Sequence, residues 1–186
     1  FSDRTFNVQS IKMELEGLMG PYQNVFIQEC DALNALLKEM NRTLQELNLA
    51  FAGELTMSSI MEDLMFSLFK DTVPAPWHRL AWPSMRPLGG WLADLNRRLE
   101  QLQLWTEHPI DIPRATWLGG LKNPQSFLTA IKQVAAQEDK LELQKLVIFT
   151  DILKKNADEI DAPAKVGALI HGLFLEGARF NTPNSI

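Results

Sequence analysis

The stretch 22–47 constrains the fold more than any other part of the chain. Its apolar residues follow one another at intervals of 4, 3, 4, 3, 4 and 3 residues: Phe26, Cys30, Leu33, Leu37, Met40, Leu44 and Leu47. This spacing places them on one face of an α-helix of roughly seven turns. No Pro or Gly interrupts the pattern, and Gly53 follows where a C-terminal cap is expected. The stripe therefore predicts one helix of a bundle, with a coiled-coil seam as the alternative.

A second helix is expected to begin at Ser59. The Ser59 hydroxyl can accept a hydrogen bond from the backbone three residues on, while Glu62 reaches back to the cap. The helix must end before Val73, because Pro74 lacks the N–H and the free φ that a helix needs. The segment 73–87 that follows is rich in proline and tryptophan, and we interpret it as a strap packed onto a neighbouring element.

Two further helices complete the helical part. One is expected over about 88–105, with an apolar side and a polar side. Its polar side comprises Asp94, Arg97, Arg98 and Glu100. The other is expected over about 124–137, because Asn123 is a good cap and Pro124 suits the first helical position. It should bury Phe127, Leu128, Ile131 and Val134.

Strands are expected only near the C-terminal end. Residues 115–118 form a short β candidate, and 143–153 and 166–174 are rich in β-branched, aromatic and other apolar residues. The last two are simplest to interpret as strands joined by a polar loop. The predicted fold class is mainly α, a helical bundle followed by a few β-strands in an incomplete α+β C-terminal domain. Because such a sheet would have an open edge, we expect further strands downstream, in a longer parent protein.

The composition excludes several classes of protein. Of the 186 residues, 46% are hydrophobic and 22% are charged, which is too apolar for a disordered chain. The single cysteine, Cys30, cannot form an internal disulfide, which excludes a disulfide scaffold and favours a reducing compartment. A formal net charge of −5 argues against a general nucleic-acid binder. The longest strongly apolar run, 146–149, is far too short to cross a membrane.

No nucleotide-binding motif is found in the sequence. A glycine-rich phosphate loop of the P-loop type is absent. The glycines and lysine of 119–122 precede a helix with the wrong spacing, so we interpret them as a tight strand-to-helix turn. The stretch 146–151 imitates a strand that ends in a magnesium-binding Asp, and we interpret it as a buried strand.

No catalytic or metal-ligating constellation is found either. His78, His108 and His171 lie far apart in sequence, without cysteine or acidic neighbours at metal-ligand spacing. Ser67 and Lys70 match the Ser-x-x-Lys pattern of acyl-transfer enzymes, but the companion motifs are missing. A hydrolase is therefore a distant interpretation, and we expect no catalytic, cofactor-binding or metal residues in this chain.

Tryptophan, proline and glycine supply the most specific features. The sequence has five Trp and one Tyr, and Trp buries a large area and anchors interfaces. The candidate structural and interface residues are Trp77, Trp82, Pro83, Trp91, Trp117, Gly119, Gly120, Pro124, Phe127, Gly172 and Gly177.

These residues lie in motifs that resemble the C-terminal region of dynein heavy chains, closest to axonemal chains of the outer-arm beta type. The motifs follow the family's order from residue 73 to residue 179. They are Val73-Pro-Ala-Pro-Trp77, Trp82-Pro-Ser-Met-Arg-Pro-Leu-Gly-Gly-Trp91, Trp117-Leu-Gly-Gly-Leu121, Asn123-Pro-Gln-Ser-Phe-Leu-Thr-Ala130 and Gly172-Leu-Phe-Leu-Glu-Gly-Ala-Arg179.

The resemblance implies a place in a large motor. Residues 1–70 would be the helical small subdomain of the sixth AAA+ module, and 71–186 the N-terminal helical part of the dynein C-terminal domain with its first strands. The family's nucleotide sites lie in its first four AAA+ modules, so ATP and Mg would bind elsewhere in the parent. That parent would be a minus-end-directed microtubule motor driven by ATP hydrolysis, in the axoneme of a cilium or flagellum. This part would brace and regulate the AAA+ ring.

The implied partners are the rest of the AAA+ ring and other dynein subunits, without nucleic acid, membrane or direct microtubule contact. Among the departures from the family's usual residues, Lys122 and Lys132 stand where apolar residues are usual, which suggests a surface made polar by divergence or engineering. The alternative function is a free-standing helical module that binds protein partners through the apolar seam at 26–47.

Overall fold

The computed structural model describes residues 4–153 and 155–173. Within these residues the protein forms six α-helices, two strands of two residues each and three short 3₁₀ turns. The helices are α1 Val8–Glu14, α2 Pro21–Phe51, α3 Ser59–Phe69, α4 Ala75–Leu80, α5 Leu88–Glu107 and α6 Pro124–Asp139. The strands are β1 Thr116–Trp117 and β2 Ile170–His171. The prediction of a mainly α fold is confirmed.

Helix α2 is the centre of the bundle. It contacts each of the other five helices, and its apolar stripe is covered by them. Six stripe residues are buried, namely Phe26, Cys30, Leu33, Leu37, Met40 and Leu47, while Leu44 is half-buried. Gly53 follows the end of the helix with a φ of 76°, a conformation that a side chain disfavours, so the predicted glycine cap is confirmed. The protein's own helices thus occupy the seam that a coiled-coil partner would need.

The helix starts follow the capping rules, with one shift. Asn123 caps α6 as predicted, accepting a hydrogen bond from the backbone N–H of Ser126. Helix α3 is capped by Ser58 and not by Ser59, since the Ser58 hydroxyl accepts from the N–H of Met61. With the cap at Ser58, the residue at the third helical position is Met61, so the predicted capping box does not form.

Two short helices lie outside the predicted set. Helix α1 has seven residues and α4 has six. Each is shorter than two helical turns, and a periodic apolar pattern cannot be recognised over so short a stretch. Helix α4 lies inside the segment interpreted as a strap. The strap does pack onto its neighbours as predicted, because Trp77 and Trp82 are both buried.

The prediction of strands near the C-terminal end is confirmed at 115–118 and within 166–174, and it is wrong at 143–153. Only β1 and β2 form among the described residues, and they pair in parallel, with Thr116 opposite Ile170 and Trp117 opposite His171. Residues 143–153 begin with a 3₁₀ turn at Leu143–Lys145 and continue without strand pairing. Strand propensity alone does not make a strand, since a strand also needs a partner edge. Of the expected strand 166–174, two residues pair, and residue 174 lies outside the described part.

Residues 146–151 are therefore not the buried strand that the sequence suggested. Val147 is 69% exposed and Phe149 is 89% exposed. Within the described part of the protein, no helix is long and apolar enough to cross a membrane.

Candidate functional site: a tryptophan stack and an arginine cleft

Three of the candidate tryptophans, Trp77, Trp82 and Trp91, stack on one another in the core. The rings of Trp82 and Trp91 lie 5.1 Å apart and 8° from parallel, and Trp77 lies 6.3 Å from Trp91. All three side chains are buried. The indole N–H of Trp77 donates to the Thr43 hydroxyl of α2 at 3.0 Å. The stack thus fixes the strap 73–87 between α2 and α5.

Arg98 extends this stack toward the surface. It lies on α5 and is only 5% exposed, and its guanidinium carbon lies 3.9 Å from the centre of the Trp82 ring. One of its terminal nitrogens donates to the Gly119 carbonyl at 2.8 Å. Burial lowers the pKa of Arg98 to about 10, opposed by the nearby carboxylates of Asp94 and Glu29. The guanidinium therefore stays charged at neutral pH although it is enclosed by aromatic rings.

Trp117 also lies close to Arg98, whose guanidinium carbon is 5.3 Å from the centre of the Trp117 ring. Its backbone N–H donates to the side-chain oxygen of Gln101 at 2.7 Å, which fastens β1 to α5. A Cβ on Gly120 would lie 2.3 Å from the Trp117 ring, and one on Gly172 would lie 2.5 Å from it. Gly172 also has a φ of 69°, so both glycines are needed for the close approach of backbone and indole.

These residues enclose a surface cleft of about 460 Å³. We call it the arginine cleft, and its charged and aromatic lining is Trp82, Arg86, Asp94, Arg97, Arg98 and Trp117. Arg86 and Asp94 form an ion pair across it at 3.1 Å. The guanidinium carbon of Arg97 lies 4.4 Å from the centre of the Trp117 ring. The remaining lining residues are Pro83, Ser84, Met85, Gly119 and Gly172, so the cleft brings together five of the candidate residues.

Two candidate residues lie on α6, away from the arginine cleft. Phe127 of α6 is fully buried, with its ring centre 5.5 Å from that of Tyr22 and 6.0 Å from that of Phe26. Pro124 is exposed at the first position of α6. Phe127 thus serves the contact between α6 and α2, whereas Pro124 serves the start of the helix. The last candidate, Gly177, lies outside the described residues.

The start of α6 is also held by a buried carboxylate. Glu29 of α2 is 5% exposed, and its two oxygens accept the backbone N–H groups of Lys122 and Asn123 at 2.6 and 2.8 Å. The Lys122 side chain is exposed and donates to the Leu80 carbonyl at 2.7 Å, while Lys132 is half-buried. The glycines before Lys122 form the tight turn that the sequence predicted.

The sequence pattern does not predict the buried polar residues of the arginine cleft or the one at the start of α6. The pattern assigns Asp94 and Arg98 to the solvent side of their helix, and the structure buries them. A signal for Arg98 is present: positions 91, 95, 98, 102 and 105 step by 4, 3, 4 and 3, so position 98 lies within the apolar stripe. Glu29 gives no comparable signal, because its partners lie more than ninety residues away.

The residues considered for catalysis do not come together. His78 and His108 are exposed, and His171 is half-buried on β2. Burial lowers the pKa of His171, and the charge of Arg97 adds to this effect. The Ser67 hydroxyl donates to the Asp63 carbonyl at 2.8 Å, which is an ordinary bond within a helix. Among the described residues no cluster of three or more His, Cys, Asp or Glu side chains could hold a metal ion.

The sequence matches a known protein family over nearly its whole length. The family model that describes the C-terminal domain of dynein heavy chains matches residues 3–186. The chain belongs to this family. The tryptophan stack and the arginine cleft are therefore features of a dynein C-terminal domain.

The similarity to axonemal, flagellar and ciliary dyneins extends over most of the sequence. The identity is 44% over 182 residues to dynein axonemal heavy chain 17 of Mus musculus, an alignment that covers 98% of the present sequence. It is 50% over 161 residues, or 87% of the sequence, to the flagellar outer-arm dynein beta chain of Chlamydomonas reinhardtii. It is 42% over 181 residues, or 97% of the sequence, to a ciliary dynein beta chain of Heliocidaris crassispina. In each case the match spans only 4% of the relative's own length.

Proposed function

We propose that this dynein C-terminal domain is a non-catalytic part of a ciliary or flagellar motor heavy chain. The observation that carries the proposal is the family match over 3–186, together with 42 to 50% identity to proteins named as axonemal, flagellar outer-arm and ciliary dyneins. The parent would be an ATP-driven, minus-end-directed microtubule motor. ATP and Mg would bind in other parts of that parent, and the motor would act in the axoneme.

The role proposed for this part is to brace the AAA+ ring and regulate it. A brace must resist deformation, and three features of the fold supply stiffness. The strap is fixed by stacked tryptophans, α6 is joined to α2 by Glu29, and α2 contacts all the other described helices. The buried core is also continuous across residue 70, where we place the boundary between the AAA+ subdomain and the C-terminal domain. Motion of one part would thus be transmitted to the other.

The proposal is tested with a dynein ring from which the segment matching residues 1–186 has been removed. We expect the purified 186-residue protein to co-elute with the truncated ring in equal amounts and to shift its ATPase rate toward that of the intact ring. The 186-residue protein alone should not hydrolyse ATP. ATP hydrolysis by the isolated protein, or failure to bind a ring that otherwise folds, would overturn the assignment.

A double substitution separates this function from the seam-binding alternative. Leu33 and Leu37 are 4% and 0% exposed, so replacing both with Ala removes core packing at about 2–5 kcal/mol each. We expect Leu33→Ala/Leu37→Ala to lose its cooperative thermal unfolding transition, measured by circular dichroism. A free-standing module that used these residues as a docking seam would keep its fold and lose only its partner.

A further inference from the structure

The arginine cleft is a positive site on an acidic protein. Three arginines line it against one acid, Asp94, whereas the full sequence has a formal net charge of −5. Asp94 is already paired with Arg86. The two remaining guanidinium groups, those of Arg97 and Arg98, make no ion pair among the described residues. Glu29 is the one other carboxylate whose charge acts on Arg98, so a positive charge of about one remains in a partly enclosed space.

Arg98 has hydrogen-bonding capacity that the described residues leave unused. Its Nε and one terminal nitrogen, Nη1, are buried and have no hydrogen-bond partner there. A buried charged donor without a hydrogen-bond partner is unfavourable, so a ligand that supplies an acceptor is favoured here. Aromatic rings lie against the guanidinium, with its carbon 3.9 Å from the centre of the Trp82 ring and 5.3 Å from that of Trp117, and its N–H groups point outward in its own plane. A partner must therefore approach it edge-on.

We propose that the arginine cleft binds a single carboxylate side chain from an acidic segment of a partner protein. A carboxylate is planar and pairs edge-on with a guanidinium through two parallel hydrogen bonds. The charge that remains favours this ligand over a phosphate, because one negative charge balances a positive charge of about one, whereas a doubly charged group exceeds it. Arg97 is exposed at the mouth of the cleft, so it meets the incoming acid first.

The probe is an acetylated, amidated tripeptide with one glutamate, Gly-Glu-Gly, added to the 186-residue protein at low ionic strength. Binding is followed by the side-chain N–H signals of Arg98, Trp82 and Trp117 in nitrogen-15 NMR spectra. We expect saturable shifts of these three signals, which weaken as salt is added. The same peptide with glutamine in place of glutamate should leave them unchanged. Equal shifts with both peptides, or stronger binding of inorganic phosphate, would overturn the proposal.

A matched pair of substitutions locates the site. Arg97→Gln removes one charge from the cleft and should weaken glutamate-peptide binding on the order of tenfold. Arg79→Gln removes one charge from an exposed position on α4, outside the cleft, and should leave binding unchanged. Arg98→Lys keeps the charge but loses the planar fork, so it should also weaken binding. If Arg97→Gln and Arg79→Gln bind alike, the peptide is responding to overall charge and the cleft is not its site.

Discussion

Two charged residues in the core each join parts of the fold that are distant in sequence. Glu29 and Arg98 are each 5% exposed, yet each carries a charge and each holds backbone from a distant part of the sequence. Burying a charge is unfavourable unless hydrogen bonds compensate for it. Glu29 meets that condition with two backbone N–H donors, while Arg98 uses aromatic faces and one carbonyl.

Replacing Glu29 with Gln tests the first of these arrangements. The amide keeps one acceptor oxygen but turns a donor toward the backbone N–H of Lys122 or Asn123. We expect Glu29→Gln to lower the free energy of unfolding by about 1.5–3 kcal/mol, measured by urea denaturation. Glu100→Gln removes the same charge at an exposed position on α5 and should change stability by no more than about 0.5 kcal/mol. Equal effects of the two substitutions would show that the hydrogen bonds of Glu29 contribute nothing.

The helices and strands differ in how far they could be predicted. Four helices follow from local information: the stripe of α2, the serine and asparagine caps, and the prolines that end or begin a helix. The pairing of the strands does not follow from local information, because Thr116 and Ile170 lie more than fifty positions apart in the sequence. Residues 146–149 have the strongest β propensity, but among the described residues no strand pairs with them. The sequence analysis predicted Trp82, Pro83, Trp117 and the glycines of the arginine cleft. The position of Arg98 within the apolar stripe of α5 indicates its burial, but its contact with Trp82 depends on the strap that covers it.

The turn between β1 and α6 depends on a glycine with no room for a side chain. A Cβ on Gly120 would clash with the Trp117 ring, so we expect Gly120→Ala to lower stability by about 1–3 kcal/mol in thermal or urea unfolding. Gly90 in α5 is the matched control, because a Cβ there would lie at an ordinary 3.6 Å from its nearest neighbour. Gly90→Ala should instead stabilise the helix by about 0.5–1 kcal/mol. A Gly120→Ala variant as stable as Gly90→Ala would contradict the close packing at Trp117.

The molecule as a whole should lose stability at alkaline pH through its single tyrosine. Burial raises the pKa of Tyr22 from its usual 10.0 to about 12, and the charge of Glu138 adds to this shift. The folded state therefore holds its phenolic proton where the unfolded state has lost it. The resulting stabilisation is complete below pH 10 and is lost as pH rises from 10 through about 12.

Tyr22→Phe isolates this contribution from the lysines that titrate in the same range. We expect the variant to lose less stability than the parent protein between pH 10 and about 12, measured by urea denaturation at each pH. Ultraviolet absorbance of the tyrosinate reports the same group directly, since Tyr22 is the sole tyrosine of the sequence. Parallel stability profiles for the two proteins would contradict the shift. Because Tyr22 also donates to the Gly167 carbonyl at 3.3 Å, the variant tests how the C-terminal part is joined to α2.

The exposed apolar segment 146–149 has a consequence for solubility. Leu146, Val147, Ile148 and Phe149 have high strand propensity and face solvent to different degrees, so they provide an edge to which a second copy of the same segment can add. Charged residues on both sides, Lys145 and Asp151, oppose such stacking by repulsion between copies in register. We therefore expect Lys145 and Asp151, which contribute nothing to the core, to determine how readily this segment self-associates.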